Sequence, residues 1–194
     1  MSDQFLFAEL AAAPSTDRLL FLIYPDLDAA ARMAGCVPDL RAEYGLQGKS
    51  VSLDRLHITL NHLGDHAGLP RDMVALACEA AGTLAISPFD VVFDRVASFG
   101  GKPGNLPFVL RGGDGLAQLL DFQQRLAVAM SKTGSRLGKW AESNFTPHVT
   151  LLYDRQSIAE RAIKPIRWTV REFVLVHSLQ GQTRHVVLGR WPLI

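Results

Sequence analysis

From Arg18 to Pro25 the chain reads RLLFLIYP, a short, nearly unbroken apolar run closed by a proline, which predicts a buried strand. Asp26 then offers a helix cap to an Ala-rich segment over 27–34, and Pro38 is expected to break or restart that helix before a loop at 45–50. In DRLHITLNHLG, Leu56, Ile58 and Leu60 alternate with His57, Thr59 and Asn61, the period of a strand with one buried face. His57 and Thr59 therefore share a face, and strict alternation sets His62 on the opposite one. Pro70 opens a helix in which Met73, Leu76, Ala77, Ala80 and Leu84 recur at helical spacing. FDVVFDRVASF and PFVLRG predict a hairpin around the Gly/Pro cluster GGKPGNLP.

A long helix follows, with Leu116, Leu119, Leu126, Met130 and Leu137 on one face up to Gly138. In FTPHVTLLYD, Val149, Leu151 and Tyr153 fall on one face and His148, Thr150 and Leu152 on the other. WTVREFVLVHSL and HVVLGRWPL complete the chain as two strands. This order predicts an α+β fold with mainly antiparallel sheets, not a doubly wound parallel one.

Length and composition change the picture little. The 194 residues fit one domain over 17–194, preceded by a flexible tail over 1–16, where Asp3 and Glu9 argue against a secretory signal. No apolar stretch approaches the roughly 20 residues a membrane span needs. A net charge of +1 argues against an extended nucleic-acid surface but leaves room for a nucleotide or an RNA end as partner. Cys36 and Cys78 lie in apolar segments without ligand spacing, which suits unpaired thiols in a reducing cytoplasm. A monomer is expected.

The chemistry lies in a repeat. LHITL (Leu56 to Leu60) and PHVTL (Pro147 to Leu151) both read His, β-branched apolar residue, Thr, Leu. A single His-x-Thr in a strand is most often structural; two matched copies, each with a polar face set against an apolar one, point to a shared wet cleft. Residues two apart on a strand lie roughly 6.5–7 Å apart, close enough for His and Thr to grip one tetrahedral anion. Two histidines can divide the roles of acid and base near neutrality. No cofactor is called for, and the trio His57, His62 and His66 is set aside as a metal site because alternation puts His57 and His62 on opposite faces. His62 and His66 are read as loop residues, and His177 and His185 as structural or surface residues of the last hairpin. Tyr24, Phe99, Phe145, Tyr153, Arg155 and Arg184 could meet a base or phosphate, although periodicity makes Tyr153 and most of the others core residues.

Together RLLFLIYP, LHITLNHLG, FTPHVTLLYDR and FVLVHSLQGQTRHVVLGRWPL resemble the 2H phosphoesterases, and within them the RNA 2′,3′-cyclic phosphodiesterases, also called 2′-5′ RNA ligases. The resemblance spans nearly the whole chain. It implies two pseudo-symmetric lobes around a central cleft, with catalytic His57 and His148 and phosphate-binding Thr59 and Thr150. It implies metal-independent hydrolysis of a 2′,3′-cyclic phosphate to a 2′-phosphate, His148 serving as base and His57 as acid, or the reverse. Asn61-His62 and Gly112-Gly113 depart from the usual pattern and bear on substrate choice. End-joining at the same site and a non-catalytic nucleotide-phosphate binding module stay open as alternatives.

Overall fold

A computed structural model describes residues 16–133, 145–182 and 184–194. Its elements are β1 (Asp17–Ile23), α1 (Leu27–Tyr44), β2 (Ile58–His66), α2 (Arg71–Gly82), β3 (Phe89–Ser98), β4 (Leu106–Arg111), α3 (Ala117–Lys132), β5 (His148–Asp154), β6 (Arg161–Val170), β7 (Glu172–Leu179) and β8 (Arg184–Pro192). All strands join one antiparallel sheet of order β6-β3-β4-β5-β2-β1-β7-β8. The α+β architecture expected from the sequence is the one observed.

The sheet divides into two four-stranded halves that meet at β2 and β5, joined there by the single pair Ile58–Val149. In each half a strand, a helix and a His-x-Thr strand follow one another, β1-α1-β2 and β4-α3-β5. The β1 residues Leu19, Phe21 and Ile23 enter the main core with the helices, whereas Leu20 and Leu22 pack with Val174 and Val176 on the other face. That two-sided burial is why RLLFLI shows no alternation.

Three expectations need correction. Helix α1 runs through Pro38, for its ring forfeits only one backbone bond, while Met33, Val37 and Leu40 stay buried on either side. Asp26 caps this helix as expected, accepting from the Ala29 N–H, and Gly45, at φ 67°, ends it. WTVREFVLVHSL is two strands broken at Arg171: Trp168–Val170 belong to β6 beside β3, and Glu172–Leu179 form β7 beside β1, in the other half. Thr16 is part of the fold, donating its N–H to His66 and accepting from Gln180, so the expected tail reaches no further than residue 15. Residues 1–15 and the expected end of α3 at 134–138 lie outside the described residues.

Candidate active site

The antiparallel pair Ile58–Val149 determines what its neighbours face. Continuing that register by one residue sets His57 opposite Thr150 and Thr59 opposite His148. The histidines thus occupy diagonal corners of a four-residue set, at a Cα separation of roughly 7–8 Å. All four line one cleft of about 900 Å³, on the sheet face away from the main core.

Both histidines are held alike. Nδ1 of His57 lies 2.6 Å from the carbonyl oxygen of Arg55, and Nδ1 of His148 lies 2.8 Å from that of Thr146. A carbonyl only accepts, so each Nδ1 carries the proton and each Nε2 is left to give or take one. Each imidazole also meets an aromatic edge, Tyr24 at 6.4 Å for His57 and Phe99 at 4.8 Å for His148. The Arg111 guanidinium stacks over Phe99.

Burial holds both histidines below the ordinary value of 6.5. For His57 the Arg55 and His148 charges push the same way, and for His148 the Arg111 charge does; in both the backbone carbonyl bond opposes the shift.

The repeat extends further than its motif. Leu22 pairs with Thr59 but Phe21 with Asn61, and Val109 pairs with Thr150 but Phe108 with Leu152. Each His-x-Thr strand therefore carries a β-bulge at the leucine after its threonine, Leu60 in one and Leu151 in the other. An extra residue reverses the facing of those that follow, in β2 as far as a second register shift between His62 and Asp65. His62 consequently joins His57 on the cleft face, and Tyr153, 45% exposed, lines the cleft instead of the core. His62 and His66 lie within β2 and not in a loop. Nε2 of His62 is bound to Asp65, which also holds Arg18 through two bonds of 2.7 Å.

His185 is the largest departure from the sequence reading. It lines the cleft and meets the His57 ring edge to face at 5.3 Å. His177, by contrast, is structural as expected, bonded to the buried Asp17 carboxylate. Phe145 packs against the core, the Arg155 N–H donates to Asp154, and Arg184 borders a smaller pocket beside His185. Among the described residues no three His, Cys, Asp or Glu side chains group as metal ligands, and no helix is long and apolar enough to cross a membrane.

Comparison with known proteins agrees with this fold. Residues 25–182 match the family model of the 2′-5′ RNA ligase superfamily. Among solved structures, a phosphoesterase shares 25% identity at a TM-score of 0.65, covering 91% of this chain and 98% of its own. E. coli LigT in complex with 3′-AMP also shares 25% identity, at a TM-score of 0.62, covering 91% of this chain and 97% of its own. A protein of Thermus thermophilus, 20% identical with a TM-score of 0.68 and covering 91% and 97%, shares the fold. No curated protein matches the sequence significantly.

Proposed function

Because the chain belongs to the 2′-5′ RNA ligase superfamily, we propose that it opens 2′,3′-cyclic phosphate ends of RNA or of small nucleotides to 2′-phosphates, by general acid-base catalysis between His57 and His148. The observation that carries this reading is the diagonal placement of two identically held imidazoles, each facing the other motif's threonine. In-line attack at phosphorus needs a base on one side and an acid on the other. One neutral histidine takes a proton from water as the new P–O bond forms. The other, protonated, gives its proton to the 3′ oxygen as the P–O3′ bond breaks, leaving a 2′-phosphate and a 3′-hydroxyl. Solvent exchange restores both rings.

Thr59 and Thr150 hydroxyls donate to the non-bridging oxygens, where negative charge builds up in the transition state. Nothing in this scheme requires a metal ion. Since E. coli LigT was solved with 3′-AMP and with ATP, a nucleotide is a sensible occupant for a cleft of this size. If a 5′-hydroxyl replaced water, the same site would join RNA ends by microscopic reversibility; the superfamily's description as ligases motivates that second reading.

Two measurements test the reading. Turnover of 2′,3′-cyclic AMP should follow a bell-shaped pH profile, because one histidine must be neutral and the other protonated. Both are depressed, so the maximum should lie on the acid side of the ordinary 6.5; a maximum well above pH 7 would contradict the assignment. Thr59→Val and Thr150→Val keep the side-chain shape and remove the donor. Each should lower kcat/KM about tenfold with little change in melting temperature, and unchanged activity would remove the threonines from the site.

A further inference from the structure

Three groups that the acid-base scheme leaves unused enclose His57 from behind. Tyr24 packs its ring against Leu20, Leu22, Val174 and Val176, and its hydroxyl lies 2.9 Å from Nδ1 of His185. Nε2 of that imidazole is 3.1 Å from Nη2 of Arg55. The backbone carbonyl of Arg55 in turn receives the Nδ1 proton of His57.

Elementary chemistry settles the protonation of this ring of contacts. A guanidinium only donates, so Nε2 of His185 must accept; the neutral ring then carries its proton on Nδ1 and gives it to the Tyr24 oxygen. A protonated His185 would have no lone pair for Arg55 and would set one cation against another. The charged and titratable groups around it are Arg55 and Asp54 from the turn before β2, His57, Tyr24, and Arg184 beside it on β8, with Arg190 acting on Tyr24 from the same strand. Burial first, then His57 and Arg55, push His185 down to about 4, against the opposing charge of Asp54.

We infer that His185, as its neutral Nδ1–H tautomer, is a positioning residue that packs against the His57 ring and holds the Arg55 guanidinium beside it, and so sets the orientation and proton affinity of His57. Its consequence for catalysis rests on the two-histidine reading above, but the contact geometry does not. Orienting groups of this kind act by fixing tautomer and ring position, and their loss reaches the chemistry through the residue they hold.

The test is a nitrogen-resolved NMR titration of the histidine rings in the substrate-free protein, for the native chain, His185→Ala and His185→Gln. Glutamine can accept from Arg55 and donate to Tyr24, but it does not ionise. In the native protein His185 should stay neutral, protonated on Nδ1, down to pH 5. In His185→Ala the Arg55 side chain is released and water enters, so His57 should titrate about half a pH unit or more higher; His185→Gln should restore the native value. An Nε2–H tautomer at His185, an unmoved His57 in the alanine variant, or a folded glutamine variant that fails to restore it would each overturn the assignment. These readouts use no substrate, so they stand apart from any failure to turn over a cyclic phosphate.

Discussion

Alanine at either His57 or His148 is expected to lower kcat for a 2′,3′-cyclic nucleotide by about 10³, within the usual range for losing a general acid or base. In the proposed mechanism each imidazole makes one of the two proton transfers of a single displacement, so the double variant should be little worse than either single one. Substrate affinity should change less than turnover, since Thr59 and Thr150 remain to hold the phosphate. Steady-state kinetics on the three variants checks this. A single variant that retains a tenth of native turnover would show that the histidine concerned transfers no proton.

The second large effect lies at Asp154, the last residue of β5. Its carboxylate is buried and accepts four backbone N–H groups, from Gln47 at 2.7 Å, Gly48 at 2.6 Å, Arg155 at 2.7 Å and Gln156 at 3.0 Å. Two of these tie the segment after α1 to the sheet, where Ser50 bridges Leu152 and the Val51 N–H donates to Leu151. The approach is so close that a Cβ on Gly48 would stand 1.7 Å from the Tyr153 carbonyl oxygen. In this way Lys49, Ser50 and Ser52 reach the edge of the cleft.

Asp154→Ala leaves the Gln47 and Gly48 N–H groups without their acceptor and should cost about 2–4 kcal/mol, read from urea unfolding at pH 7. The effect has a definite pH dependence. Backbone N–H groups, that of Gln156 foremost, hold the carboxyl below its ordinary 3.8 against the opposing pull of burial. A depressed carboxylate stabilises the fold fully above the ordinary value, and that contribution is lost as pH falls from there through the depressed one. The gap between native and variant should therefore be constant at neutral pH and close below about pH 4. A gap that did not narrow at all as pH falls below about 4 would mean the aspartate stabilises by packing instead of by charge.

The clustering of the four candidate residues was legible because both motifs obey strand alternation over three positions, His57 to Thr59 and His148 to Thr150. Legibility stopped one residue later. The bulges at Leu60 and Leu151 reverse the facing of His62 and Tyr153, and nothing in LHITLNH or PHVTLLY marks a bulge, since leucine is as much at home in a regular strand. The only clue available was that both copies keep the leucine. His185 was out of reach for another reason: it comes to His57 through contacts with Tyr24 and Arg55, more than a hundred residues away in the chain. Arg171 hid the division of β6 from β7 because the apolar pattern continues across it, whereas each strand's neighbour depends on which half of the sheet it joins.

The two-histidine site is tested most directly by phosphorus NMR of 2′,3′-cyclic AMP incubated with the native chain in excess EDTA, beside His57→Ala and His148→Ala. The expected result is conversion to the 2′-phosphate alone, undiminished by the chelator and absent with both variants. No turnover by the native chain, a 3′-phosphate product, or a reaction that the chelator stops would contradict it.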